Sequence, residues 1–112
     1  MIVRLFQPVR HEQETEPSLG TIVSLLWNAD SQANFHPSSR WISSITAGEN
    51  HDSQERRYQD IYVNWPGREA VLIWLTSNQL LYEILSFDLL PHEEEALEEQ
   101  LYNEAPNEVL SN

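Results

Sequence analysis

The pattern of apolar and polar residues predicts strands at two widely separated places in the chain. Ile2 to Gln7 has the composition of a first strand, which ends where Pro8 removes a backbone donor from the ladder. Tyr58 to Trp65 alternates between apolar and polar residues, as a half-buried strand does. Its apolar face carries Ile61, Val63 and Trp65.

The segment around this second strand predicts an antiparallel meander of three strands over residues 57–87. Pro66-Gly67 is a turn dipeptide, and Ala70 to Thr76 is apolar on both faces, which is typical of a central strand covered on both sides. Ser77-Asn78 can form a tight connection because Asn tolerates positive φ. Gln79 to Phe87 then returns as the third strand.

Two shorter elements leave alternatives open. Ser18 is a suitable N-cap, and the helical spacing of the apolar residues that follow predicts a helix to about Asp30. These residues are Leu19, Ile22, Val23, Leu26 and Trp27. The alternative is a strand over Thr21 to Trp27, because β-branched residues favour sheets and Gly20 weakens a helix start. Arg40 to Thr46 is compatible with either a helix or a strand.

The end of the chain predicts an acidic helix over about residues 92–104. Glu93 to Tyr102 has helix-forming composition, with a narrow apolar stripe made by Ala96, Leu97 and Leu101. Ala105-Pro106 is expected to end this helix and to begin a flexible tail over residues 105–112.

These elements predict one α+β domain over residues 1–112. Its antiparallel sheet has about four strands, with one or two helices packed on one face. Two polar segments, 10–17 and 47–56, are expected to be exposed acidic loops. The four tryptophans fall on apolar positions of predicted elements and are expected in the core: Trp27, Trp41, Trp65 and Trp74.

Composition removes several classes of function. The chain has no Cys, which excludes a disulfide framework and a thiolate zinc site. It carries 18 acidic residues against six Arg and no Lys, a net charge of −12, so its field repels phosphate backbones and opposes direct binding of DNA or RNA. No Gly-rich phosphate loop or nucleophile motif is visible, and we expect a protein that is not an enzyme.

The apolar runs predict neither a membrane span nor a secretory signal. The longest, such as Ala70 to Leu75, are far shorter than the roughly 20 residues that a span needs. The first six residues lack a basic start and an adequate apolar stretch. We therefore expect a cytoplasmic protein.

The acidity is concentrated near the end of the chain. Residues 88–112 hold eight carboxylates and no Lys or Arg. Those in the first turn of the predicted helix, Glu93 to Glu95, are favoured by the helix dipole. Glu98 and Glu99 gain nothing from the dipole, and with Glu94 and Glu95 they form like-charge pairs three or four residues apart. These four carboxylates form an excess that helix stability does not explain.

A calcium ion is the first candidate partner for this excess. Ca²⁺ takes 6–8 oxygen ligands with flexible geometry, and three acidic clusters can supply them. The candidate ligands are Glu12, Glu14, Glu16, Asp52, Glu55, Asp60, Glu94, Glu95, Glu98 and Glu99. There is no EF-hand, since the nearest match, which starts at Asp30, has Phe35 in place of the required Gly and Trp41 in place of the final Glu.

A lysine-free and cysteine-free acidic chain of this size resembles the small cyanobacterial calcium-binding proteins without EF-hands that are linked to heterocyst differentiation. The resemblance covers size, charge and three acidic stretches: HEQETE (11–16), ENHDSQE (49–55) and HEEEALEE (92–99). It implies cytoplasmic calcium buffering or sequestration. It does not imply a sensor that opens a hydrophobic groove.

A basic protein is the second candidate partner. The same acidic patch would suit an inhibitor or decoy that covers the basic cleft of a nuclease, toxin or DNA-binding protein, because opposite charges steer association. A third hypothesis is an accessory assembly factor recognised through its Trp-rich sheet, which would require an exposed apolar patch.

Overall fold

The computed structural model describes residues 1–8 and 18–110, and side chains as far as Leu101. The strands are β1 (Ile2–Phe6), β2 (Ile42–Ile45), β3 (Asn50–His51), β4 (Arg57–Val63) and β5 (Tyr82–Ser86). The helices are α1 (Leu19–Ala33), α2 (Arg68–Ser77) and α3 (Pro91–Leu110), with 3₁₀ turns at Pro37–Ser39 and Trp65–Gly67. The mixed α+β architecture predicted from the sequence is confirmed.

The sheet is antiparallel and is built around β1. Its strand order is β2-β4-β1-β5, and β3 pairs with the first two residues of β4, on the same side as β2. In register, Val3 of β1 faces Ile61 of β4 on one side and Ile84 of β5 on the other. The predicted meander is therefore wrong. Strand β5 pairs with β1, and the segment between β4 and β5 contains a helix in place of the predicted middle strand.

The middle strand of that meander is replaced by α2. Val71 and Leu75, one helical turn apart, are fully buried, whereas Ile73 between them is 57% exposed. Both faces of this segment are apolar because one packs in the core and the other lines a surface groove. The predicted tight turn at Ser77-Asn78 is the end of α2, with the backbone N–H of Asn78 donating to Trp74.

One continuous core joins the sheet to α1 and α2. The sheet contributes Met1, Val3, Leu5, Ile42, Ile61 and Val63. The helices contribute Leu19, Ile22, Val23, Leu26, Val71 and Leu75. Every one of these residues is buried, which confirms a sheet with helices packed on one face.

The helix predicted after Ser18 is confirmed, and the alternative strand is wrong. The Ser18 hydroxyl accepts a hydrogen bond from the Thr21 backbone N–H at 3.2 Å, which caps α1. The helix continues to Ala33, three residues beyond the predicted end at Asp30. The element left open at residues 40–46 is the strand β2.

Asp30, near the end of α1, joins this helix to β2 through a fully buried carboxylate. It accepts hydrogen bonds from the backbone N–H groups of Trp41 at 2.9 Å and Ile42 at 3.1 Å, and from the side chains of Arg40 at 3.0 Å and Asn34 at 2.9 Å. Burial raises the pKa of Asp30, but these hydrogen bonds outweigh it and hold the pKa below its ordinary value. The residue that began the nearest EF-hand match is thus a structural anchor.

Two of the four tryptophans predicted in the core are exposed. Trp27 and Trp65 are more than two fifths exposed, so the prediction that they lie in the core is wrong, while Trp41 and Trp74 pack against the core.

Helix α3 continues past Ala105-Pro106, where its end was predicted. The loop predicted at 10–17 lies outside the described residues. Within residues 1–8 and 18–110, no helix has both the length and the apolarity to cross a membrane.

Candidate functional site

The second acidic cluster is held in place by its own turn. Asp52 accepts hydrogen bonds from the backbone N–H groups of Gln54 at 2.9 Å and Arg56 at 2.8 Å, and its second oxygen lies 2.7 Å from Arg56 Nε. These hydrogen bonds hold the pKa of Asp52 below its ordinary value against the opposing effect of desolvation. Both oxygens therefore stabilise the turn between β3 and β4, in which Glu55 adopts a positive φ of 62°.

Asp60 is engaged in a bidentate ion pair on the face of the sheet opposite the core. Its two oxygens accept from Arg4 Nε at 2.9 Å and Arg4 Nη2 at 3.1 Å. The same guanidinium lies 3.8 Å from the centre of the Tyr58 ring. The hydrogen bond to Asp60 raises the pKa of Arg4 above its ordinary value. The partner of Asp60, predicted as a calcium ligand, is therefore Arg4 of β1.

The remaining candidate ligands divide into two groups. Glu12, Glu14 and Glu16 lie outside the described residues. Glu94, Glu95, Glu98 and Glu99 are exposed on α3, and none of them forms an ion pair with a described residue. Among residues 1–8 and 18–110, no three acidic or histidine side chains are grouped as a metal site. Calcium binding by this chain stays a prediction.

Glu93 has a structural role at the start of α3. Its Oε1 accepts from the backbone N–H of Leu90 at 3.1 Å, the reciprocal half of a capping box. Its Oε2 accepts from the backbone N–H of Trp65 at 2.7 Å. Next to it, His92 Nε2 lies 3.2 Å from Asn64 Oδ1. These contacts fix the first turn of α3 against the Trp65–Gly67 turn.

A groove of about 520 Å³, here called the α3 groove, runs between this turn and α3. Trp65, Pro66 and Leu89 form one wall, and Glu93, Ala96, Leu97 and Gln100 form the other. The α3 residues are spaced i, i+3, i+4 and i+7, so they lie along one stripe of the helix. Leu97 is 46% exposed and Trp65 is 43% exposed, which leaves the groove open and largely apolar.

A second groove of about 740 Å³, here called the Arg68 groove, lies on the other side of Trp65 and Pro66. Its walls include Arg68, Leu72 and Ile73 of α2 and Phe87, which follows β5. The Arg68 guanidinium carbon lies 3.1 Å from the centre of the Trp65 ring and 5.1 Å from that of Phe87. A cation therefore lies close to two aromatic rings in a mostly apolar groove.

Arg68 differs from the other arginines of the described residues in having no carboxylate partner. Arg4, Arg40, Arg56 and Arg57 pair with Asp60, Asp30, Asp52 and Glu49, respectively. Its guanidinium donates one hydrogen bond to a described residue, from Nε to the Trp65 carbonyl at 3.1 Å. In a chain with three acids for every base, this arrangement leaves the outer nitrogens of one guanidinium available to an external anion.

Sequence reasoning located the acidic helix but missed both grooves. It assigned Trp65 to a buried strand face and Ile73 to a doubly covered strand, although both side chains are exposed. The usable signal was an excess of apolar residues over 65–75, more than one helix can bury on a single face. No protein-family model, curated protein or solved structure matches this chain.

Proposed function

We propose that this protein binds a basic protein partner through α3 and the α3 groove. The observation that carries the proposal is the pattern on residues 91–101 of the helix, which is exposed on almost every face. One stripe is apolar and exposed at Leu97 and Leu101, while the rest carries carboxylates with no Lys or Arg. Each half of the pattern favours a partner of complementary chemistry.

The apolar stripe supports a macromolecular partner. Helices in proteins gain most of their stability by packing an apolar face, yet this stripe faces an open groove. Ala96 and Leu97 would offer a flat apolar contact beside the rigid Trp65 ring, a residue type that is enriched at binding hot spots.

The carboxylates support a basic partner. Glu94 with Glu98, and Glu95 with Glu99, are like-charge pairs that destabilise a helix by roughly 0.2–0.5 kcal/mol each. Lys or Arg residues of a partner would relieve this repulsion and would accelerate association from a distance. A calcium ion would neutralise the carboxylates but would leave the apolar groove open. A basic protein partner would explain both the carboxylates and the exposed apolar residues.

The test compares two variants with equal loss of charge. The partner is first captured from the source cell, identified, expressed and measured by surface plasmon resonance. We expect Glu94→Gln with Glu98→Gln to slow association about tenfold at low salt, and this difference to shrink at high salt as the charges are screened. The matched control, Glu55→Gln with Glu83→Gln, changes two exposed acids away from the groove and is expected to have little effect.

A third variant tests the groove. Leu97→Ser is expected to increase the dissociation rate with little change in the association rate, because it removes apolar contact without altering charge. Equal effects of the α3 and control pairs, or binding that requires calcium, would contradict the proposal.

A further inference from the structure

We infer that the Arg68 groove binds the carboxyl-terminal residue of the partner, with the terminal carboxylate on Arg68 and an apolar final side chain against Leu72, Ile73 and Phe87. This inference rests on the proposed function and adds the chemical feature by which the partner would be recognised. It assigns a specific task to the one arginine, among those described, that lacks a carboxylate.

The guanidinium is positioned before any ligand arrives. It contacts the rings of Trp65 and Phe87, and its Nε donates to the Trp65 carbonyl. A fixed guanidinium loses less side-chain entropy on binding, and its two outer nitrogens can donate to both oxygens of a carboxylate. Arg68 is also the first residue of α2, where the helix dipole favours a negative charge.

The surroundings of Arg68 select a terminal residue over an internal acidic one. Leu72 lies one helical turn after Arg68, and Ile73 and Phe87 line the same groove. The cation and the apolar walls are therefore close enough for a single ligand residue to contact both. A terminal Leu or Phe carries a carboxylate and an apolar side chain on one residue. An internal Asp or Glu carries only the carboxylate.

The net charge of the protein selects a basic peptide over a free carboxylic acid. A small anion would be repelled by a surface of charge −12, with Glu69 and Glu93 close to the grooves. Basic residues that precede the terminal carboxylate would be attracted instead to Glu94 and Glu98. Because Trp65 and Pro66 line both grooves, one extended peptide can occupy the two together.

The experiment uses synthetic peptides that differ only at the terminal group. The probes are fluorescein-Lys-Lys-Gly-Lys-Val-X with X as Leu, Phe or Trp, each made as the free acid and as the amide, and binding is followed by anisotropy. We expect at least one free acid to bind at least about tenfold more tightly than its amide, since the charge-assisted contact is lost in the amide. Arg68→Gln is expected to abolish this difference.

Arg57→Gln is the matched control, because Arg57 is exposed and its contact with Glu49 is long, at 3.7 Å. It should keep the preference for the free acid. Thermal melting by circular dichroism verifies that each variant is folded. If acids and amides bind equally but lose affinity in the Glu94→Gln, Glu98→Gln protein, the inference fails while the proposed function stands. Failure of every peptide to bind, or a preference that survives Arg68→Gln, would also overturn it.

Discussion

At the scale of the residue, Asp30 shows how a buried charge holds two elements together. We expect Asp30→Asn to lower the free energy of unfolding by about 3 kcal/mol or more, because Arg40 loses its anionic partner in a buried setting. The amide that replaces one oxygen would also face a backbone N–H donor, that of Trp41 at the Oδ1 position or that of Ile42 at the Oδ2 position. Urea unfolding at neutral pH measures the difference.

We expect the destabilisation caused by Asp30→Asn to depend on pH. The pKa of Asp30 is lowered in the folded protein, so its stabilising effect is present above the ordinary Asp pKa of about 3.9 and is lost as the pH falls through the folded value. The difference in the free energy of unfolding between wild type and Asp30→Asn should therefore become smaller below about pH 4. Asp88→Asn, at an exposed residue, is the control and should change stability by less than about 0.5 kcal/mol. A gap that widens in acid would contradict this role of Asp30.

At the scale of the element, the Trp65–Gly67 turn depends on close contact with Trp41, the residue before β2. A Cβ added to Gly67 would overlap the Cα of Trp41 and lie 2.5 Å from its Cβ. We expect Gly67→Ala to destabilise the protein by about 1–3 kcal/mol, as overpacked sites do. The same substitution at Gly20 has open space around it and should stabilise α1 by up to about 1 kcal/mol. Equal effects of the two substitutions on the melting temperature would refute the argument.

Elements that bury a single face could be predicted from the sequence, and those that share their apolar residues between core and surface could not. Helix α1 was predicted because its buried residues keep one spacing and Ser18 caps it. Helix α2 was mistaken for a strand because Ile73 is apolar yet exposed, which hides the helical period. The groove beside Trp65 was missed for the same reason, since burial was assumed for every large apolar residue. Pairing of β5 with β1 is a long-range contact that local pattern does not encode.

At the scale of the whole molecule, the acidic residues differ in how far the fold already uses them. Asp30, Asp52 and Asp60 are bound by arginines, and Glu93 caps α3. Glu94, Glu95, Glu98 and Glu99 have no ion-pair partner among the described residues, and all four lie on one helix. Neighbouring carboxylates of a single helix supply few of the 6–8 oxygens that calcium requires.

This distribution predicts the outcome of a calcium titration. If the chain binds Ca²⁺ with saturation, Glu94→Gln with Glu98→Gln should change the Kd by less than about twofold, because two helix carboxylates alone make a poor site. Asp52 should contribute little, since both of its oxygens are held by its own turn. Calorimetry gives the Kd, and backbone amide shifts in NMR locate the ion. A site lost in the α3 pair would instead make the acidic helix a metal centre and would weaken the case for a basic partner, because one set of carboxylates would then serve the ion.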